Sequence, residues 1–420
     1  MRITKIHLQN IGVFEDTIID FPEKTDPDKA EIHILTGENG TGKSTVLYGL
    51  SSILKAFPYL LERFVYKNSK SDLVVVFDDG QRINHFFTDE GLALLIQEST
   101  RILDYIQKTS NDKYVHATFD FAFFAFSGYR TIATTQIQSI RELKNNPFDK
   151  ALDFYNSLNS ELFAQWVANN RAKEALELIK NGQGKADRYR RSVSRVEDTI
   201  AEIIDKKIEF VLDTEPLSLF IKVEDRQLSF DMLPDGLKSI ISWIADLLMR
   251  LDRIKWATDV EVLNRNFILF LDEIDVHLHP AWQRKILPAV QKLFKNAQIF
   301  VSTHSPFVVG SVDGAWVHKL MLDDKGNSHA QPPRRSEDGE SYQYILREVF
   351  DIDKRFGVET EANLNKFNGL KSAILQKQPI DKTAFLQLAR SLAEQSIELS
   401  TIIGSELRQL SRITQEEFAI

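Results

Sequence analysis

The sequence has no cysteine among its 420 residues, which excludes disulfide bonds and cysteine-based metal sites. No stretch approaches the roughly 18 consecutive apolar residues of a membrane-spanning helix. The N-terminus, Met-Arg-Ile-Thr-Lys, opens no long apolar segment, so a secretory signal is not expected. We therefore expect a cytoplasmic protein without a membrane partner.

The sequence also has no overall excess of basic residues. The net charge of −8 predicts that the surface as a whole does not attract nucleic acid. Hydrophobic residues make up 43% of the chain and charged residues 27%, fractions that are typical of globular proteins. A chain of this length can hold a large α/β core and an inserted subdomain.

Residues 37–44 fit the phosphate-binding loop (P-loop) pattern G-x-x-x-x-G-K-[ST] at every fixed position. A short apolar run precedes the loop and a helical pattern follows it, so strand, loop and helix N-terminus should form an anion site. We predict that Lys43 reaches the β- and γ-phosphates of ATP and that the Ser44 hydroxyl ligates Mg²⁺. The predicted nucleotide-binding residues here are Gly37, Glu38, Asn39, Gly40, Thr41, Gly42, Lys43, Ser44 and Thr45.

A second motif combines an apolar strand with two carboxylates. The run 267–271, Phe-Ile-Leu-Phe-Leu, predicts a strand in the centre of a parallel sheet, and Asp272 and Glu273 follow it directly. Open α/β sheets bind ligands at the carboxyl ends of their strands. We predict that Asp272 holds Mg²⁺ and that Glu273 is the general base that aligns the attacking water.

A third strand ends in a histidine. Residues 298–304 predict another buried strand, with an apolar run at 299–301 and a polar C-terminal tip that ends in His304. A lone histidine is more often a structural residue, but the position at the end of a strand favours a functional one. We predict that His304 lies beside the γ-phosphate as a hydrogen-bonding switch residue.

The segment 233–239, Leu-Pro-Asp-Gly-Leu-Lys-Ser, opens a strongly apolar helix. It resembles the signature motif of ABC-type ATPases, which in that family caps the γ-phosphate of ATP bound to the opposite subunit. Pro234 replaces the serine of that family, and proline offers neither a hydroxyl nor an N–H. The resemblance therefore implies contacts in trans from Gly236 and Lys238.

Residues 271–284, which begin Leu-Asp-Glu-Ile-Asp, and residues 302–306, Ser-Thr-His-Ser-Pro, resemble the RecF and overcoming-lysogenization branch of bacterial ABC-type ATPases. Within that branch they look most like the ATPase subunits of the nuclease-paired anti-phage systems of the Septu and retron types. The resemblance covers most of residues 1–320. It implies an ABC-type P-loop NTPase head, a mixed β-sheet flanked by helices, with Phe14 near the adenine side. It also implies a D-loop with Asp275 facing the nucleotide of a partner subunit.

The same resemblance implies the partners. We expect a homodimer or higher oligomer and a separately encoded nuclease of the HNH or Toprim type, with DNA as a further candidate partner. No nuclease site is expected in this chain, because the adjacent Asp323 and Asp324 do not form an Asp-x-Asp pair. A RecF-like DNA-repair ATPase is the alternative function, and an ABC transporter ATPase is disfavoured by the inserted segment and the C-terminal tail.

The domain organisation follows from these motifs. We predict the ATPase head at 1–138 and 208–323, an inserted helical subdomain at 139–207, a linker at 324–341 and a helical tail at 342–420. Residues 73–77 and 82–87 should form a hairpin. The Q-loop should follow the strand at 118–126, and both Gln136 and Gln138 are candidates for its glutamine.

Two features remain open at this point. The tail carries three apolar stripes at helical spacing, and a tail of this size should bury little core of its own, so we expect it to dock on another surface. A basic cluster in the inserted subdomain is either a solvated helix face or a phosphate contact. The cluster consists of Lys185, Arg188, Arg190, Arg191 and Arg195.

Overall fold

The computed structural model describes residues 1–52, 58–66, 70–88, 91–97, 100–109, 114–128, 130–154 and 158–418. The chain forms two compact units, Met1–Phe350 and Asp351–Ile420. The strands are β1 Ile3–Ile11, β2 Phe14–Asp20, β3 Glu31–Gly37, β4 Asp72–Phe77, β5 Arg82–Thr88, β6 Gly91–Gln97, β7 Ala122–Phe126, β8 Ile208–Thr214, β9 Leu217–Val223, β10 Arg226–Leu228, β11 Phe267–Leu271, β12 Ala297–Ser302, β13 Trp316–Leu322, β14 Ser328–Ala330 and β15 Arg334–Arg335. The helices are α1 Lys43–Ser51, α2 Pro58–Leu61, α3 Thr100–Thr109, α4 Ser160–Ile179, α5 Gln183–Ile204, α6 Asp235–Arg253, α7 Pro280–Leu293, α8 Pro306–Val309, α9 Tyr342–Glu348, α10 Val358–Leu375, α11 Lys382–Ala393 and α12 Ile397–Thr414.

The central sheet of the first unit has the strand order β14-β13-β3-β12-β11-β7, and β15 also pairs with β13. The pairs β13–β3, β3–β12, β12–β11 and β11–β7 are parallel. Strands β3, β7, β11 and β12 are buried at every residue, as expected of parallel strands covered on both faces. Because these strands run in one direction, their carboxyl ends meet at one edge of the sheet.

Helix α1, which follows the P-loop, lies between two sheets. It packs on the central sheet and also on the antiparallel sheet β2-β1-β4-β5-β6. A Cβ added to Gly49 would lie 3.0 Å from Ile6 Cδ1 and 3.1 Å from Leu73 Cδ1, so β1 and β4 approach the helix closely. A helix enclosed in this way must be apolar around most of its surface, and every residue of α1 except Ser44 is buried.

These features confirm the predicted α/β class with a mixed sheet flanked by helices. The expected hairpin is present as the antiparallel pair β4–β5. Helix α6 begins at Asp235, inside the signature segment, and α7 begins at Pro280 with His279 as its N-cap. Within the part of the chain that the structure describes, no helix is long and apolar enough to cross a membrane.

The prediction that residues 324–341 form a linker is wrong. Strands β14 and β15 lie in this range, and both pair antiparallel with β13 on the central sheet. Ser328 ties the segment to the rest of the unit, because its N–H donates to Val13 O at 2.7 Å and its hydroxyl to Thr41 O at 2.7 Å. The polar range 324–341 thus contains two short strands, at 328–330 and 334–335, joined by turns and irregular segments.

The expected behaviour of the tail from residue 342 also needs correction. Helix α9 belongs to the first unit, where Ile345 and Val349 join the main hydrophobic core. In the second unit, α10, α11 and α12 bury their apolar stripes against one another, and the rings of Phe367 and Phe385 stack at 5.1 Å. The three stripes therefore form a core of their own and need no other surface to cover them.

The inserted range 139–207 lies in the first unit and contains a helical hairpin, α4 and α5. The base of the hairpin is fixed to α6, because Asp252 accepts hydrogen bonds from Trp166 Nε1 at 3.1 Å and from the Ser192 hydroxyl at 2.8 Å. Phe163 and Val196 are fully buried there. The remainder of the hairpin, around residues 171–191, is largely exposed.

A buried polar cluster lies across strands β3 and β13. His33 Nδ1 is 3.0 Å from His318 Nε2, and His33 Nε2 is 2.9 Å from Glu31 Oε1. Arg2 Nε donates to both Glu31 oxygens at 2.8 and 2.7 Å. Burial lowers the pKa of His33 and of His318. Burial raises the pKa of Glu31, but hydrogen bonds from His33 and Arg2 outweigh it and lower that pKa to about 2.

This cluster predicts a stepwise loss of stability in acid. As the pH falls below 6.5, the unfolded chain takes up protons on His33 and His318 that the folded chain does not, so stability falls. Each such proton contributes a slope of about 1.4 kcal/mol per pH unit. Below pH 4.5 Glu31 adds a second loss, because its folded pKa lies below its unfolded pKa.

Urea unfolding between pH 7.5 and 5.5 measures this slope. His318→Gln should flatten the dependence of the unfolding free energy on pH, whatever it does to the absolute stability. His329→Gln, at an exposed histidine of the same sheet, is the matched control and should keep the wild-type slope. Equal slopes for all three proteins would contradict the prediction.

Candidate nucleotide site

The P-loop is shaped by glycines that no other residue can replace. Gly37 ends β3 with φ 142°, and an added Cβ would lie 2.3 Å from Leu320 O. Gly42 has φ 91°, and its Cβ would lie 2.5 Å from Cε2 of the Phe14 ring. Both positions combine a left-handed backbone with close packing, which only glycine tolerates. The loop therefore sits tightly on the sheet and presents its backbone at the start of α1.

Lys43 folds over the loop. Its ammonium group donates to Gly37 O at 3.0 Å and to Glu38 O at 2.8 Å. Burial lowers the pKa of Lys43 to about 8, although the nearby Asp272 and Glu273 oppose that shift. The lysine is thus a buried cation held within the P-loop.

Asp272 is the centre of the site. The hydroxyl of Ser44 donates to its Oδ1 at 3.1 Å, and the hydroxyl of Tyr48 donates to its Oδ2 at 3.3 Å. Ser302, at the end of β12, also donates to Oδ1. The P-loop helix and two neighbouring strands therefore meet at one carboxylate, which is only 4% exposed.

Glu273 adopts a left-handed backbone conformation with φ 48°. Its N–H donates to the Ser302 hydroxyl at 2.7 Å, which fixes the turn after β11. Gly128 lies directly against it, since an added Cβ would be 2.9 Å from Glu273 Cβ. Burial, followed by the negative charges of Asp272 and Asp275, raises the pKa of the Glu273 carboxyl.

Arg130 is a member of the site that the sequence motifs did not single out for a role. It is 5% exposed, and its Nη2 donates to Asp272 O at 3.2 Å and to Phe126 O at 3.3 Å. Burial lowers its pKa to about 9, and the charges of Asp272 and Glu273 oppose that shift. A buried arginine requires such partners. The sequence signal that could have indicated a role for Arg130 is its position directly after the apolar strand β7.

His304 follows β12 and reaches the surface of the site. Partial burial and the positive charge of Lys43 lower its pKa, which keeps the ring neutral at neutral pH. Asp275 lies in the loop before α7, where its carbonyl accepts from Gln283 Nε2 at 3.2 Å. Its Oδ1 is buried and has no hydrogen-bond partner among the described residues.

The signature residues lie at the N-terminus of α6. Gly236 packs on the loop that carries Asp275, because an added Cβ would lie 2.5 Å from His277 O. Lys238 forms an ion pair with Asp235 at 3.7 Å on the first turn of α6. Helix α6 begins after Pro234 with no side-chain cap on its N-terminal N–H groups.

The structure also places the residues that we expected at the rim of the site. Phe14 is 1% exposed and packs beneath Gly42, so its ring supports the P-loop and is not free to stack on a base. Gln136 pairs with Ser218 beside the sheet β10-β9-β8, and Gln138 is exposed close by. Tyr129, in the expected Q-loop, lies outside the described residues.

A P-loop at the end of the central parallel strand β3, with adjacent carboxylates at the end of β11, two strands away in the same sheet, defines a P-loop NTPase. The inserted helical hairpin and the signature helix make it an ABC-type head. The chain belongs to the AAA_21 family, described as "AAA domain, putative AbiEii toxin, Type IV TA system", which matches residues 32–310.

The chain is also similar to individual proteins at low sequence identity. The chain is 25% identical to the "Retron Ec83 probable ATPase" of Escherichia coli, across 84% of this chain and 77% of that protein. It is 22% identical to the "Septu protein PtuA" of Bacillus thuringiensis, across 84% and 85% of the two chains. An SMC head domain from Thermotoga maritima aligns over 79% of this chain and 99% of its own, with 17% identity and a TM-score of 0.44.

The contacts of Arg130 predict an effect on the pH dependence of ATP turnover. Arg130→Met removes a positive charge that lowers the pKa of Glu273, so that pKa should rise further. The acidic limb of the turnover profile should then move to higher pH, while ATP affinity stays within about threefold. Arg130→Lys keeps the charge and should shift the limb less. An unmoved limb in the Met variant would contradict this role.

Proposed function

We propose that this protein is an ATPase of anti-phage defence that binds Mg·ATP in its head and acts with a separately encoded nuclease. The hydrolysis part is carried by one observation: the Ser44 and Ser302 hydroxyls both donate to Asp272, and the same Ser302 hydroxyl accepts the N–H of Glu273. The defence part is supported by the relatives that bear the Septu and retron names. Both relatives align over most of their length, so the likeness is not confined to the P-loop.

The chemistry of the donors fits Mg·ATP. Ser44 and Asp272 bring a hydroxyl and a carboxylate oxygen to within 3.1 Å of each other, and oxygen donors are those that Mg²⁺ prefers. These two residues would hold the metal, which when bound neutralises phosphate charge. Lys43 would exchange its two loop carbonyls for phosphate oxygens. The loop backbone, Gly37 through Thr45, would surround the phosphates.

Glu273 would act as the general base. A raised pKa makes this carboxylate a stronger base at neutral pH than an ordinary glutamate. It would accept a proton from the attacking water, while the neutral His304 would hydrogen-bond the γ-phosphate. Arg130 would keep the Asp272–Glu273 turn in place without touching the substrate.

Assembly in trans would complete the site. Gly236 and Lys238 lie at an uncapped helix N-terminus, which favours binding of an anion such as the γ-phosphate of a partner's ATP. The unpartnered buried Oδ1 of Asp275 would find its hydrogen bond across the same interface. A homodimer of heads is the simplest arrangement that uses all three residues.

Two substitutions test the ATPase proposal. Lys43→Ala removes the ammonium group and should abolish ATP binding in calorimetry. Glu273→Gln should bind Mg·ATP with wild-type affinity but lose about 10²- to 10⁴-fold in turnover, because an amide cannot accept the proton. Turnover of the Gln variant within a few-fold of wild type would rule out Glu273 as the base. Unchanged binding by the Ala variant would rule out the P-loop assignment.

The nuclease partner is tested separately, through the second unit. Its helices bury their apolar stripes against one another, but Val358 is 86% and Ile397 is 89% exposed. Exposed residues such as these, and not the buried stripes, are therefore available for docking. A chain that ends at Phe350 should retain ATP turnover and lose the nuclease encoded beside its gene in co-purification. Ile397→Asp is the milder variant. Full partner binding by both variants would show that the second unit is not the docking site.

A further inference from the structure

The exposed part of the α4–α5 hairpin, residues 171–191, has a charge opposite to that of the whole protein. We call this segment the hairpin tip. It contains seven basic and three acidic residues, a net charge of +4, whereas the chain as a whole carries −8. A local excess of this kind is common on solvated helices, so what matters is which of the cations are free to contact a partner.

The structure separates the cations into two groups. Arg190 pairs with Glu174 at 2.6 Å and with Asp187 at 3.4 Å, and Arg171 also pairs with Glu174, at 3.4 Å. Beyond the tip, Arg195 forms an ion pair with Glu261. Two members of the basic cluster found in the sequence, Arg190 and Arg195, are therefore already neutralised.

Five exposed cations remain without an ion pair among the described residues. Three lie on α5, one lies in the turn and one lies on α4, where its ammonium group is 5.7 Å from the centre of the Tyr189 ring. These five are Lys173, Lys180, Lys185, Arg188 and Arg191. Of the two cations outside the original cluster, Lys180 lies in the turn just before it, and Lys173 is brought to it because α4 folds back on α5.

The spacing of these residues suits a row of phosphates. Positions 185, 188 and 191 span about 9 Å along α5 at 1.5 Å per residue. A single strand of a duplex presents a phosphate about every 3.4 Å along its axis, so the row covers two to three phosphates. Lys180 and the uncapped N-terminus of α5, at Gly182, extend the positive potential to the end of the tip.

The composition favours nucleic acid over an acidic protein. Lysine is depleted in protein–protein interfaces, yet three of the five free cations are lysines. Both lysine and arginine contact phosphates readily, and a basic stripe along a helix is the usual electrostatic footprint of a nucleic-acid surface. We propose that the hairpin tip binds the phosphate backbone of a nucleic acid. The proposal is independent of ATP hydrolysis and of the nuclease partner.

The test uses the full-length protein and fluorescence anisotropy with a labelled 30-base-pair duplex and a 30-nucleotide single strand. The triple variant Lys185→Gln/Arg188→Gln/Arg191→Gln should bind at least one of the two at least tenfold more weakly than wild type. The slope of log affinity against log salt should become shallower by up to about 2.7 for the duplex, at about 0.9 per lost phosphate contact. All three positions are exposed, and thermal unfolding confirms that the variant is folded.

A charge-matched control distinguishes contact from general attraction. Lys354→Gln/Lys366→Gln/Lys377→Gln removes three exposed lysines of the second unit and changes the net charge equally. It should leave affinity and slope near the wild-type values. Equal losses in both triple variants, or no binding by wild type at low salt, would overturn the proposal. Displacement of the labelled strand by poly-glutamate as readily as by unlabelled nucleic acid would assign the tip to acidic proteins instead.

Discussion

The buried carboxylate of Asp272 is the interaction on which the rest of the head depends. It accepts hydrogen bonds from Ser44 and Tyr48 of α1 and from Ser302 of β12, while its own backbone N–H donates to Phe126 O on β7. An ionised carboxylate in a nearly closed environment is stable only when its oxygens are satisfied. The P-loop helix, three central strands and the turn that carries Glu273 are therefore held in one arrangement by one residue.

The parts of this site that the sequence predicted are those encoded locally. The P-loop glycines, the strand β11 and the apolar run before His304 each carry a pattern within fewer than ten residues. Strand β14 carries no such pattern, because it is held by a bond between Ser328 and Thr41, 287 residues away. The role of Arg130 is equally non-local, since only folding brings its guanidinium to the Asp272 carbonyl. The core formed by α10, α11 and α12 could not be predicted either, because the sequence does not show which apolar helix faces pack against each other.

The charged residues are distributed unevenly over the folded chain, and the net charge does not show this. Burial, and after it the negative charges of Asp272 and Asp275, raises the pKa of Glu273, and the positive charges of Lys43 and Arg130 oppose that rise. In the α4–α5 hairpin, acidic residues form ion pairs with some of the basic residues, and the other basic residues remain exposed. The net charge of −8 is thus compatible with both a cation-binding site and a basic surface. Both features depend on which charged residues lie next to each other in the folded chain.

We infer that the residues around Asp272 hold Mg·ATP. Thermal unfolding of the wild-type protein with ATP, in the presence of Mg²⁺ or of EDTA, tests it most directly. A ligand at 100 times its dissociation constant stabilises the folded state by about 2.7 kcal/mol. Mg·ATP should therefore raise the melting temperature more than ATP with EDTA, and Asp272→Asn should abolish that difference. A wild-type melting temperature that is unchanged by ATP, with or without Mg²⁺, would contradict the claim.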